Sequence, residues 1–392
     1  MDSSFGGSGC PIQAEMETER QNLSAVFPWR DHQRYRLLIN GLQYFPAMLR
    51  AIDKAESHVL LEFYIMESGD VADQFIDAFL RAAERQVNVQ ILLDDFGSRV
   101  LLAADRERLT DGGVRLAFYN PLRFELFGQK LKNNLFRTHR KFMIIDGRSV
   151  FVGGTGISDS FIGENAWRDS MLEVSGSTAL DWQSLFASSM RRWSGPIEVP
   201  APLVVSTAGD GRGRLTYTSG GVKLQLKKIL LNRIRRSQDR VWLASAYFIP
   251  SGKIRRALRR AAMQGRDVRL LLPGPVTDHA AVRHASRRYY ARLLRHGVRI
   301  FEFQNHFMHA KVVLVDDWCT IGSSNMDRWN FRWNQEANQE AEEAALSLAL
   351  KDMLLDDFDH SDEIEYQRWL RRSWMQRLKE WVWGRIDLWL TR

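Results

Sequence analysis

THRKFMIIDG (residues 138–147) and MHAKVVLVDD (residues 308–317) decide how this chain folds. Each holds a histidine and a lysine two positions apart, His139 with Lys141 and His309 with Lys311, followed by four apolar residues and an aspartate, Asp146 or Asp316. On a strand, side chains at i and i+2 share a face, so each histidine points the same way as its lysine. The apolar run seats the strand in a core. Asp146 and Asp316 come seven positions after their histidines, on the opposite parity near the strand end, and take a structural or supporting role.

The sequence before each block repeats too. VLLEFYI (59–65) matches VWLASAYFI (241–249), and each reads as a buried strand behind a helix. FLRAAERQVNVQILLDD (79–95) matches ALRRAAMQGRDVRLLLPG (257–274), and LTDGGVRLAFYN (109–120) matches LLRHGVRIFEFQN (293–305). Four blocks in one order are the mark of an internal duplication. Strands alternating with helices of this length imply βαβ units, hence two α/β lobes with mixed or parallel sheets flanked by helices. The boundary falls near Pro200, in the Gly- and Pro-bearing stretch SGPIEVPAPLVVSTAGDGRGR. The chain thus divides into a disordered or extended lead-in (1–34), a first lobe (35–200), a second lobe (201–360) and a C-terminal segment (361–392).

One interval breaks the repeat. Gly113 and His139 are 26 residues apart, whereas Gly297 and His309 are 12 apart. The extra residues, PLRFELFGQKLKNNL (121–135), carry Phe124 and Phe127 among several cations. They read either as a loop packed on its own lobe or as an apolar, basic lip beside the active site.

The 392 residues carry a formal charge of +8 and no apolar run long enough to span a bilayer as a helix. Two cysteines, Cys10 and Cys319, exclude a disulfide framework and fit a reducing compartment. The N-terminus has acids where a signal peptide would have basic and then apolar residues. The charge is unevenly spread. Residues 251–300 hold 13 Lys and Arg against 2 acids, and residues 366–392 hold 7 against 2. Such segregation suits a protein that meets a polyanion, either nucleic acid or an anionic membrane.

Glycine-bearing turns follow both histidine strands, Gly153-Gly154 in the first and Gly322-Ser323-Ser324-Asn325 in the second. A metal is disfavoured, because paired lysines would repel a cation and no set of carboxylates or thiols accompanies the histidines. Two histidines and two lysines suit an anionic group that is transferred, namely a phosphate. The lysines neutralise its oxygens while one imidazole attacks phosphorus and the other protonates the departing alcohol. No cofactor is needed for that chemistry.

The paired HxKxxxxD motifs, HRKFMIID and HAKVVLVD, followed by GG and GSSN, resemble the phospholipase D superfamily. Within it the chain is similar to bacterial cardiolipin synthases, especially the B type without N-terminal membrane helices. Supporting stretches are ILLDDFGS, WRD (167–169), ASAYFIP and Glu336-Ala-Asn338. The resemblance implies two pseudo-symmetric lobes forming one active site at their interface, and metal-independent phosphatidyl transfer through a covalent phosphohistidine. Its catalytic set would be His139, Lys141 and Asp146 with His309, Lys311 and Asp316. By the same resemblance His139 is the nucleophile and His309 the general acid and base, although pseudosymmetry permits the reverse. Asn325, Ser323 and Gly154 would hold or support the phosphate. Asp169 and Glu336 would orient the imidazoles, each following its own histidine along the chain. Gly156 stands where relatives carry a phosphate-binding Asn, so the first lobe would hold phosphate less fully or borrow Thr155 or Ser158.

The superfamily also contains endonucleases, for which the Arg-rich stretch would serve DNA phosphates. Lipid is favoured by the tail. Trp369, Trp374, Trp381, Trp383 and Trp389 alternate there with arginines, the composition of an interfacial helix. Arg283, on an amphipathic helix, and the insertion's Phe124 and Phe127 would line the entrance with Trp381 and Trp383. The expected protein is a cardiolipin synthase that uses phosphatidylglycerol, lies peripherally on the cytoplasmic side of the bacterial inner membrane, and binds anionic phospholipid and no nucleic acid. A hydrolytic phospholipase D and a nuclease are the alternatives.

Overall fold

The computed structural model describes residues 27–122, 136–201, 209–218, 225–327 and 333–376, followed by 378, 380, 382 and 383. The first lobe runs β1 (Arg30–Ile39), α1 (Gly41–Asp53), β2 (His58–Phe63), α2 (Asp70–Glu84), β3 (Asn88–Asp94), α3 (Ala103–Asp111), β4 (Arg115–Tyr119), β5 (Arg137–Thr138), β6 (Phe142–Ile145), β7 (Ser149–Gly153), β8 (Ser170–Ser175) and α4 (Thr178–Ser194). The second runs β9 (Gly211–Tyr217), α5 (Gln225–Arg236), β10 (Arg240–Ala244), α6 (Gly252–Met263), β11 (Asp267–Pro273), α7 (Ala280–Arg287), α8 (Tyr290–Leu294), β12 (Arg299–Phe303), β13 (Val312–Val315), β14 (Trp318–Gly322), β15 (Asn334–Gln335), β16 (Ala337–Glu342) and α9 (Ala344–Asp359). Two short elements close it, β17 (Ser361–Glu363) and α10 (Tyr366–Leu370).

The continuous apolar runs of β2 and β3 follow from burial on both faces. Val59, Leu61 and Phe63 of β2 enter a core with Phe45 of α1 and Phe75 of α2. Leu60 points the other way, to Trp182 and Phe186 of α4. Strands β2, β3 and β4 are parallel, and β6, β7, β8 and β1 add in turn, each antiparallel to the strand before it.

The lobes do not keep separate sheets. One 15-stranded sheet runs β17-β12-β11-β10-β13-β14-β16-β9-β1-β8-β7-β6-β2-β3-β4. From the β9–β1 seam outward the order is the same on both sides, and only β17 has no counterpart. The seam has a physical reason: each lobe would otherwise end on an edge strand with unpaired backbone groups, and the two edges satisfy each other. Strand β1 begins at Arg30, ahead of the expected lobe start at residue 35. The lobes also share a core, for the fully buried Trp182 of α4 donates its indole N–H to Gln339 of β16 at 2.9 Å.

The C-terminal boundary also differs from expectation. Residues 361–363 form β17, which pairs with β12 and so belongs to the second lobe. Trp369 follows it into that lobe's core, 4% exposed, its ring 5.0 Å from that of Tyr290. It packs rather than facing a membrane. Trp374 and Trp383 are 72% and 38% exposed. Trp381 and Trp389, like Phe124 and Phe127 of the insertion, lie outside the described residues. Among the described residues, no helix is long and apolar enough to cross a membrane.

Candidate active site

The histidine motifs sit where the lobes meet, and each is aligned by the opposite lobe. Strand β5, just before His139, pairs in parallel with β15, and the His139 N–H donates to the Gln335 carbonyl at 2.8 Å. In the mirror arrangement Met308 bridges Arg168, and the His309 N–H donates to the Arg168 carbonyl at 2.8 Å. The next residue in each guiding segment is a carboxylate, so it falls beside the ring it serves. Glu336 lies 3.0 Å from His139 Nδ1, and Asp169 lies 2.7 Å from His309 Nδ1.

The pairing is therefore crossed, which corrects the expectation that each acid follows its own histidine. Chain proximity pointed to the wrong partner because the lobes exchange these segments. Arg168 locks the exchange, donating to Asp357 of α9 at 2.6 Å and to Asn40 at 3.0 Å.

Lys141 and Lys311 are buried beside the rings. The Lys141 ammonium donates to the His139 carbonyl at 2.7 Å, and that of Lys311 to the His309 carbonyl. Lys311 Nζ also stands 3.1 Å from both ring nitrogens of His309. Asn325 is fully buried; its Oδ1 accepts the Tyr247 N–H at 3.3 Å, and its Nδ2 has no partner among the described residues. A buried amide with unused donors costs about 1–3 kcal/mol, offset when an oxyanion accepts them.

The other turn residues support the carboxylates. Ser323 donates its hydroxyl to Glu336 Oε2. Gly154 leaves room for Asp169, since a Cβ there would stand 2.6 Å from its carboxylate oxygen. The place of Gly156 is closed by Ile65, 2.9 Å from where a Cβ would be. Thr155 and Ser158 do not stand in for the missing amide: Thr155 donates to Tyr44, and Ser158 donates to Glu67 at 2.6 Å.

Asp146 and Asp316 do not reach the pocket, contrary to their grouping with the catalytic residues. They stand at the far ends of β6 and β13 at φ of 56° and 52°. Asp146 accepts the N–H groups of Glu56, Ser57 and His58, and Asp316 those of Gln238, Asp239 and Arg240. Each staples the start of the neighbouring strand, a fold role. Arg283 is likewise not a free cation at an entrance, because its guanidinium donates to Glu302 at 2.8 Å.

Aromatic rings wall the site, and motif reading missed most of them. Tyr64 lies 5.0 Å from the His139 ring, while Trp167, Phe307 and Phe161 lie 5.1, 5.5 and 5.6 Å from that of His309. Tyr64 could have been found from its place at the C-terminal end of β2, beside the histidine strand. These walls keep water from the imidazoles and sharpen electrostatics inside.

Charge in the pocket is crowded. Burial, reinforced by Lys141 and Lys311, holds His139 well below the usual imidazole range. Burial and Lys311 bring His309 down to about 4, against the pull of Asp169. Burial also lowers both lysines, Lys311 to about 8. The two carboxyls part company. Asp169 is raised by burial but more than recovered by His309 and Lys311, and ends below its ordinary range. Glu336 is pushed by burial up to about 8, which Lys141 and Ser323 only partly offset. One imidazole thus sits on a carboxylate held below its ordinary range and the other on a carboxyl raised above it.

A pH dependence follows for His309. The unfolded chain takes up this proton near 6.5 and the fold only near 4, so its share of stability is lost as pH falls from 6.5 to 4. The His309 ring resonances should titrate with a midpoint near 4 in NMR spectra; a midpoint near 6.5 would contradict a buried neutral ring.

Two mirrored α/β lobes around one pocket of paired histidines and lysines are the phospholipase D architecture. Residues 48–188 and 230–359 match the family described as cardiolipin synthase, PLD-like domain. The chain is 32% identical over 355 residues to the cardiolipin synthase of Alkalihalophilus pseudofirmus, covering 88% of this chain and 70% of that one. It is 35% identical to cardiolipin synthase A of Pseudomonas putida, covering 86% and 71%. In fold it is similar to the phosphatidylserine synthase of Haemophilus influenzae, with a TM-score of 0.72 at 13% identity over 96% of this chain and 99% of that one. The chain belongs to the cardiolipin synthase family of phospholipase D-like proteins.

Proposed function

We propose that this protein makes cardiolipin from two molecules of phosphatidylglycerol. His139 Nε2 attacks the donor phosphorus, the bond to the headgroup glycerol breaks, and His309, protonated at Nε2 once the anionic phosphate is bound beside it, gives that proton to the departing oxygen. The phosphatidyl group then rests on His139. The terminal hydroxyl of a second phosphatidylglycerol gives its proton to His309 and attacks, breaking the P–N bond and releasing cardiolipin. Lys141, Lys311 and Asn325 hold the phosphate oxygens, and Asp169 and Glu336 fix the rings.

The observation that carries this reading is the pair of imidazoles whose Nδ1 atoms both face carboxyl groups. Nδ1 is thereby taken on each ring and Nε2 is the nitrogen that meets the substrate, beside the Lys311 ammonium in the case of His309, as a two-step transfer requires. Water exclusion by the aromatic walls supports transfer to a lipid alcohol over hydrolysis.

A nucleic-acid substrate is disfavoured by the arginines of 251–300. Arg255 stacks on Tyr289, Arg269 pairs with Asp267, Arg283 with Glu302 and Arg299 with Glu363, so these do not form a free cationic track. The membrane reading places the protein peripherally, on the cytoplasmic side of a bacterial inner membrane, with exposed Trp374 and Trp383 available to the interface.

Incubation of the purified protein with phosphatidylglycerol vesicles, without added metal, should yield cardiolipin and glycerol in equal amounts. Phosphatidic acid as the main product would replace the synthase with a hydrolase.

A further inference from the structure

The turn after β3, DFGSRVLL (95–102), exposes three apolar side chains. Phe96, Val100 and Leu102 are 40%, 49% and 61% exposed, while Leu101 between them is buried. The turn is not loose. The N–H groups of Phe96 and Gly97 donate to the Asp94 carboxylate, that of Ser98 to the Asp94 carbonyl, that of Leu101 to the Ser98 carbonyl, and that of Leu102 to the Ser68 hydroxyl. Arg106 then donates to the carbonyls of Leu101 and Ser98. Apolar side chains thus face outward while these backbone groups are satisfied inward, the condition for entering hydrocarbon without stranding polar atoms. Arg99 lies 4.8 Å over the Phe96 ring, a cation at the foot of the apolar tip.

The turn also abuts the site. Gly97 rests on Tyr64 so closely that a Cβ would stand 2.1 Å from the Tyr64 carbonyl, and Ser98 donates its hydroxyl to that carbonyl at 3.2 Å. Tyr64 in turn lies against His139 and, at 5.0 Å, under the Lys141 ammonium. Across the pseudo-twofold axis, Val276 is 46% exposed in the turn after β11.

We propose that residues 95–102 form a rigid wedge that enters an anionic phospholipid bilayer and sets the pocket at the depth of the headgroups. Phe96, Val100 and Leu102 enter the acyl boundary and Arg99 meets a lipid phosphate. This rests on the phosphatidyl-transfer reading given above. The charge of Arg99 and the inward-turned backbone favour lipid over a second protein as the occupant.

The test compares wild type with a Phe96→Ser/Val100→Ser/Leu102→Ser variant on two substrates. On phosphatidylglycerol vesicles, binding and cardiolipin formation should fall at least about tenfold, since each apolar side chain kept in water counts roughly a decade. On water-soluble short-chain phosphatidylglycerol below its micellar concentration the two proteins should act equally. Equal rates on vesicles would overturn the wedge, and so would a shift in oligomeric state by light scattering, which marks a protein contact. Failure of wild type itself on the soluble substrate would instead count against the phosphatidyl-transfer reading.

Discussion

His139→Ala and His309→Ala should each abolish cardiolipin formation, lowering the rate by about four to six orders of magnitude, with the double variant no worse than either single one. The reason is that neither imidazole can be replaced from within the pocket. Lys141 and Lys311 donate to the histidine carbonyls, and Asp169 and Glu336 face the Nδ1 atoms rather than the substrate side. The variants part on a phosphodiester with an aryl leaving group, which needs no proton to depart. His309→Ala should still form a labelled covalent adduct there, and His139→Ala should not. Adduct on His139→Ala alone would reverse the roles, and cardiolipin from both variants at the wild-type rate would remove the mechanism.

Asp169→Asn should cost about 10³–10⁴ in rate through His309, a residue that follows it by 140 positions. An amide at that place can donate to Nδ1 and so puts the ring proton on Nε2, the wrong atom for taking a proton from the acceptor alcohol. Glu336→Gln should cost about as much through His139, because an amide there likewise puts the ring proton on Nε2, the atom that attacks phosphorus. NMR of the imidazole nitrogens separates a local tautomer change from general damage. Asp169→Asn should shift His309 and leave His139 in place, and Glu336→Gln should do the converse. A shift at His139 in Asp169→Asn would break the crossed pairing.

Much of this site was legible because its residues lie close together in the chain. HxK on a strand fixes the direction of both side chains by parity alone, and four matched blocks in one order required two lobes. The partner of each imidazole was not legible in that way. Asp169 and Glu336 could be picked out, but which ring each serves depends on two short parallel pairings, residues 137–138 with 334–335 and Met308 with Arg168, that sequence spacing does not encode. Asp146 and Asp316 read as structural by parity, as the structure has them, and only the resemblance groups them with the catalytic residues. Their regular place in the motif reflects a turn at positive φ that caps the start of the neighbouring strand. Trp369 shows the limit of composition, since an alternation of Trp and Arg does not say which ring is buried; the pairing of β17 with β12 does. Gly156 lacks the side-chain amide of its relatives, and the Ile65 side chain closes its place.

The crossed carboxylates have a consequence for how such a chain arose. Either lobe taken alone holds an imidazole without its acid and an acid without its imidazole. Only a second copy, related by a twofold axis, completes both, and that is the geometry of an isologous homodimer in which i meets j and j meets i. The seam between β1 and β9 would then be the former subunit boundary, and the Gly- and Pro-bearing stretch near Pro200 a later covalent join. The two halves differ here, with a short acid behind Gly154 and a longer one behind Ser323. A dimer of identical lobes must break its symmetry anew at every turnover to make one imidazole the nucleophile and the other the acid. The fused chain carries that inequality permanently in its covalent structure.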